Sequence, residues 1–206
     1  MVKGTRVELI EKSKLRGQHL THNHIPRYQR IKVNEEIANL ASHSVIKRSI
    51  LESDDVISGI FTREKKDGSL RVILNLKNLN EYITYQKFKM ETLRNALTLV
   101  THKCFMASID IYHAYFSVPI AAEDQKCLKL EWDNELYHYQ FTCYPNGLSQ
   151  TPRNFTKLTK PIYGTLHSKG HISTGYLDDS LLIGKSFDSC QQNIESIPSP
   201  CSITLA

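Results

Sequence analysis

No stretch of this sequence is apolar for the ~20 residues that a membrane-spanning helix needs. The opening residues, Met1-Val2-Lys3-Gly4-Thr5-Arg6, carry charge with no hydrophobic run behind them, so they do not read as a secretory signal and an intracellular location, cytoplasm or nucleus, is expected. Cysteine is scarce. The five present (Cys104, Cys127, Cys143, Cys190 and Cys201) are odd in number and lack metal-ligand spacing, which argues against a disulfide framework or a zinc site and for free thiols. Internal repeats and low-complexity tracts are missing. A strong charge of one sign is missing too, since the net charge is +5 over 206 residues. Its distribution is uneven: Phe61 to Lys103 holds nine Lys/Arg against four Asp/Glu, an excess equal to that of the whole chain. Such a stretch is either a solvated face or a surface for a phosphate-rich partner. With 40% hydrophobic residues, the chain can bury one sizeable core with a small lobe attached.

Residues 1–31 are basic and weakly patterned and predict an extended N-terminal arm. Ile37, Leu40 and Ala41 recur at helical spacing between Val33 and Ile46, with Asn34 as the expected cap. Gly59–Arg63 and Leu70–Leu76 flank Lys65-Lys66-Asp67-Gly68, a hairpin signal carried by Asp-Gly. Met90, Leu93, Leu97 and Val100 mark one face of a helix. From Cys104 to Ile111 the residues alternate, placing Phe105, Ala107 and Ile109 on one face and Asp110 on the other. A second hairpin is expected around Asp133-Asn134. Ser149–Leu166 reads as a helix with Phe155, Leu158 and Ile162 inward, kinked or shortened by Pro161. Phe187–Ser196 reads as a short helix, and the Pro/Ser-rich residues 197–206 as a disordered tail. This order predicts an α+β layer with helices on one face of an antiparallel sheet.

The chain is organised around Gly175-Tyr176-Leu177-Asp178-Asp179-Ser180-Leu181-Leu182-Ile183-Gly184. Two short apolar runs, each bounded by a glycine, flank two aspartates, and the pattern predicts a hairpin with both aspartates at its turn. An acidic turn alone needs no function. If the strand ending at Asp110 lies beside this hairpin, however, Asp110, Asp178 and Asp179 converge. Like charges about 4 Å apart repel by roughly 4 kcal/mol at an effective dielectric near 20. Divalent cations relieve that repulsion, and oxygen ligands favour Mg²⁺.

Four blocks in this order resemble the reverse transcriptase family, in particular gypsy-like and DIRS-like retrotransposons. They are Lys65–Arg71, Ser108–Ile120 (Ser-Ile-Asp-Ile-Tyr-His-Ala-Tyr-Phe-Ser-Val-Pro-Ile), Pro145–Phe155 (Pro-Asn-Gly-Leu-Ser-Gln-Thr-Pro-Arg-Asn-Phe) and Tyr176–Asp179. The resemblance covers about Ile57 to Ile183. It implies the fingers and palm of a right-hand polymerase within residues 32–196, with the thumb missing from a C-terminally truncated copy, and an RNA-directed DNA polymerase that adds dNTPs to a primer on an RNA or DNA template. Asp110, Asp178 and Asp179, with the carbonyl of Ile111, would hold two Mg²⁺ ions, Mn²⁺ being able to substitute. Lys66 and Arg71 would grip the triphosphate; a solvated basic hairpin is the alternative. The amides of His113 and Ala114 would hold phosphates, and Tyr115 would exclude a 2′-hydroxyl unless it is simply core. Asn146 and Gly147 would lie against base and sugar, and Tyr176 would touch the primer end.

The chain departs from the family at His113, where many relatives have Asp, and at Asn75 and Lys77, where Asp and Arg are frequent. Thumb and RNase H regions would belong to the parent polyprotein, and no membrane partner is expected. Two other classes remain open: a catalytically inactive nucleic-acid-binding remnant, and a two-metal nuclease on the same carboxylates.

Overall fold

The computed structural model of the chain describes residues 4–21, 25–65, 68–132, 137–197 and 202–205. In chain order its elements are α1 (Arg30–Ser42), β1 (Ile46–Arg48), β2 (Ile60–Glu64), β3 (Leu70–Leu74), α2 (Lys77–Asn80), α3 (Leu93–Leu99), β4 (Phe105–Asp110), α4 (Ala122–Gln125), β5 (Lys129–Trp132), β6 (Tyr137–Phe141), α5 (Thr151–Ser168), β7 (Ile172–Tyr176), β8 (Asp179–Gly184), α6 (Phe187–Glu195) and β9 (Ser202–Leu205). They form two compact units, Met1–Tyr85 with Tyr115–Thr151, and Gln86–Ala114 with Pro152–Ala206.

The first unit holds the antiparallel sheet β1-β6-β5 and the separate hairpin β2–β3. Helix α1 buries Val33, Ile37 and Leu40 and packs on β1 and β3. It starts at Arg30, earlier than its sequence suggests, and Asn34 is not its cap. Instead Asn34 Oδ1 accepts the indole N–H of Trp132 at 2.6 Å, giving that nearly buried donor the partner it needs. The expected turn residues Asp133-Asn134 lie outside the described residues. The described part of residues 1–31 is no loose arm: it is laced into this unit. Thr5 exchanges backbone hydrogen bonds with Pro119 and Ala121, Val7 N–H donates to Asp124 Oδ2 at 3.0 Å, and Glu8 N–H donates to Gln150 Oε1 at 2.8 Å. Val7 and Leu15 are buried. The weak apolar pattern concealed these contacts because most of them run through backbone.

The second unit is a four-stranded antiparallel sheet in the order β7-β8-β4-β9. Ala107, Ile109 and Leu182 point to one face, where Leu166 of α5 and Cys190 of α6 complete a core flanked by Tyr163 and Ile194. The predicted layer is therefore present: helices cover one face, and the alternation of β4 leaves Ser108 and Asp110 exposed on the other. Helix α5 runs through Pro161 to Ser168 without stopping. Pro161 removes one N–H from the helix ladder, and the Thr165 hydroxyl adds a bond to the Pro161 carbonyl at 3.0 Å. Leu158 and Ile162, expected inward, are exposed; Phe155 and Leu166 are the buried apolar positions of α5. Helix α3, capped by the Thr92 hydroxyl, exposes Leu93 and Leu97, which share one face of it as their spacing suggests. Residues 202–205, read as part of a disordered tail, form an edge strand on β4, with Ile203 opposite Ile109. β4 still had one free edge, and the β-prone run Ser-Ile-Thr-Leu matches it. Among the described residues, no helix is long and apolar enough to cross a membrane.

Candidate active site

The register of β4 and β8 places Asp110 directly opposite Asp179, and β7 places Tyr176 opposite Asp179 on the other side. Two residues, Leu177 and Asp178, make the turn. The turn thus lies one residue earlier than the sequence suggests, and Asp179 is the first residue of a strand rather than half of the bend. Asp is the better turn former, but strand pairing decides the phase, and it puts Leu177 at φ +57, a region costly for a residue with a Cβ. The N–H of Ile111 donates to the Asp178 carbonyl at 3.0 Å, tying the tip of the hairpin to the chain leaving β4. The Ile111 carbonyl accepts from Ala114 N–H at 3.1 Å and retains a second lone pair.

All three carboxylates are exposed. The Asp179 carboxyl is held above the ordinary carboxylate range, first by desolvation and then by the charges of Asp178 and Asp110. Among the described residues no donor or cation pairs with any of the three side chains. Their oxygens are not all within 4.8 Å of one another; the described acidic group that is so compact is Glu52, Asp54 and Asp55. Two of its three charges are already paired, Asp55 with Lys129 at 2.5 Å and Asp54 with Lys126. The trio is the reverse case: three negative charges, one destabilised by the other two, all oxygen donors and open to solvent. Such a donor set fits hard divalent cations.

Around the trio, His113 adopts φ +53, which Asp and His tolerate better than most residues, and its ring lies 3.9 Å from that of Tyr112. Ala114 is buried, and Tyr176 is about half exposed. The remaining candidates belong to the first unit. Arg71 is exposed on β3, directly across from exposed Arg63. Arg63 was missed by motif reading, although its distance from the Asp-Gly turn predicts the pairing. Like charges in direct opposition destabilise a hairpin unless an anion lies between them. Lys66 lies outside the described residues. Tyr115 is half-buried, and its carbonyl accepts from Val118. Asn146 is half-buried; Gly147 adopts φ +97. Asn80, also missed, laces this loop: its Nδ2 donates to the Gly147 carbonyl at 2.8 Å and its Oδ1 accepts from Ser149 N–H at 2.9 Å.

Residues 63–202 match the family model described as reverse transcriptase (RNA-dependent DNA polymerase). The chain belongs to the reverse transcriptase family. It is 23% identical over 133 residues to the transposon Tf2-3 and Tf2-4 polyproteins of Schizosaccharomyces pombe (strain 972 / ATCC 24843), matches that cover 65% of this chain and 10% of each polyprotein. The matched part thus spans about a tenth of those relatives. Among solved structures, the foamy viral protease–reverse transcriptase in complex with dsDNA superposes with a TM-score of 0.77 at 16% identity, covering 94% of this chain and 38% of that one. A foamy viral protease–reverse transcriptase bound to an RNA/DNA hybrid gives 0.71 at 17% identity, covering 91% and 24%. The fold is that of the fingers and palm region of a reverse transcriptase.

Proposed function

We propose that this chain is the fingers–palm part of a retrotransposon RNA-directed DNA polymerase, acting on an RNA or DNA template-primer and dNTPs, with Asp110, Asp178 and Asp179 as its catalytic carboxylates. The observation that carries this reading is the Asp110–Asp179 register pair beside the Asp178 turn, with the Asp179 carboxyl raised by desolvation and then by the charges of Asp178 and Asp110. Divalent cations bound to these residues would supply activation of the primer 3′-hydroxyl and neutralisation of the leaving phosphates. The three carboxylates and the Ile111 carbonyl fix where that charge sits, and the sheet holds them without reorganisation at the moment of reaction. Lys66, Arg71 and Arg63 offer guanidinium and ammonium donors to a triphosphate. The amides of His113 and Ala114 serve its phosphates, Tyr115 packs under the sugar, Asn146 and Gly147 meet base and sugar, and Tyr176 meets the primer end. The basic stretch from Phe61 to Lys103 attracts duplex in a salt-dependent manner.

The test is primer extension by a chimera that continues residues 1–184 with the following segment of a Tf2 polyprotein. Incorporation is expected in the presence of Mg²⁺ or Mn²⁺, with a loss of at least a hundredfold in Asp110→Asn and Asp179→Asn, the scale of removing a preorganised electrostatic group. A silent wild-type chimera, in an assay where the intact Tf2 reverse transcriptase extends primers, would overturn the reading.

A further inference from the structure

β7 is an edge strand among the described residues, so the β7–β8 hairpin that carries Asp178 and Asp179 joins the rest of the sheet only through the pairing of β8 with β4. The three carboxylates, unpaired among the described residues, repel one another across the tip of that hairpin and the end of β4. Something else has to hold the hairpin in place, and α5 supplies it. Leu166 packs into the core beneath the sheet, and His167 Nε2 donates to the Ser173 carbonyl at 2.7 Å. One turn earlier, Tyr163 makes the contact closest in register to the turn. A Cβ built on Gly175 would lie 1.9 Å from the Tyr163 hydroxyl oxygen and 2.2 Å from the ring carbon that bears it. The phenol therefore rests directly on the strand backbone, in space that only glycine leaves free. Its hydroxyl shares a 2.5 Å hydrogen bond with Ser180 Oγ, which is almost fully buried. Gly175 and Ser180 are register partners, Ser180 also pairs with Ile109, and the next row is Tyr176, Asp179 and Asp110. The phenol thus pins the row immediately behind the carboxylates, on the face opposite to them.

We propose that Tyr163 is a positioning residue for the carboxylate site, acting through Gly175 and Ser180 to fix the separation of Asp179 from Asp110. The inference rests on the assignment of the three aspartates as cation ligands. It makes a specific distinction. A residue that merely fills the core changes thermal stability and leaves cation affinity alone. A residue that sets ligand geometry changes cation affinity, by about tenfold or more for outer partners of a metal site.

The experiment titrates purified residues 1–206 with Mn²⁺, following melting temperature, for wild type, Tyr163→Phe, Ser180→Ala and the double variant. Tyr163→Phe keeps the ring on Gly175 and removes only the hydroxyl. The expected result is an Mn²⁺ midpoint raised about tenfold by each single variant, with the double no worse than either, since both remove one shared bond. Midpoints within twofold of wild type, whatever the change in melting temperature, would overturn the proposal. So would fully additive effects in the double variant, which would mean that the two side chains act separately. A wild-type protein indifferent to Mn²⁺ would overturn the cation assignment itself and the proposal with it, an outcome told apart because the failure then appears before any substitution.

Discussion

The hairpins β2–β3 and β7–β8 are of similar length and both antiparallel, yet they are held in different ways. β2 and β3 are joined by residues 65–69, closed by Lys65 N–H to the Ser69 carbonyl at 2.8 Å and Gly68 N–H to the Lys65 carbonyl at 3.0 Å. Among the described residues of that loop the left-handed one is Gly68, at φ +77, with nothing within 4 Å of where its Cβ would be. β7 and β8 are joined by two residues, and the left-handed position falls on Leu177. The first hairpin is specified by its own turn chemistry. The second is overruled locally and held from outside, by the Ile111 bond on one side and Tyr163 on the other. Local strain therefore coincides with the proposed chemistry, and local ease with the basic hairpin.

That contrast is open to direct attack. The largest effect is expected from placing alanine at the glycine of each hairpin. Gly175→Ala drives a methyl into Tyr163 and should cost about 3 kcal/mol, the upper range for overpacking. Gly68→Ala has open space and only backbone strain to meet, about 1 kcal/mol. Urea denaturation of the two variants measures the difference, and equal losses would abolish the distinction between the hairpins. A smaller and opposite effect is expected at Leu177. Leu177→Gly relieves the left-handed strain and should leave the protein as stable as wild type or more so by up to about 1 kcal/mol, net of the flexibility that glycine adds to the unfolded chain. A clear loss would show that the leucine side chain has a packing role greater than its strain.

The smallest effect concerns protons. The Asp179 carboxyl is raised in the folded state, so the folded protein holds this proton more tightly than the unfolded one. Its favourable contribution is present below the ordinary carboxylate range and is lost as the pH rises through the raised value. In metal-free buffer Asp179→Asn should melt higher than wild type near neutral pH, and the two should converge below about pH 3.8, the unperturbed value. A gap that persists into acid would assign the effect to packing rather than to charge.

The legible features were those with local causes. Asp-Gly placed the β2–β3 hairpin, the alternation of Phe105 to Asp110 placed Asp110 at a strand end on the open face, and the apolar runs around Tyr176–Asp179 placed the second hairpin; that it lies beside β4 comes from the strand register. The phase of its turn was misread because Asp is the better turn former, while register against β4 made the choice. Helical spacing puts Leu158 and Ile162 inward with Phe155, but spacing shows only that residues share a face, as Leu93 and Leu97 do, not that a partner covers it. Tyr163 left no signal because its partners lie 12 and 17 positions away on a different element; the one trace was the glycine at 175, visible as a boundary but not as a seat for a ring.

The lacing of the first residues has a consequence for synthesis on the ribosome. Glu8 finds its acceptor on Gln150, 142 positions later. At about 5–20 residues per second, the acceptor is made roughly 7–28 s after the donor. For most of that interval Val7 has no Asp124 to receive its amide, and the first unit waits while the segment Gln86–Ala114, which belongs to the second unit, is threaded through its sequence. Residues 5–8 thus leave the exit tunnel unanchored and settle only once residue 150 has cleared it, a long window for holding by a chaperone and for capture by neighbouring chains.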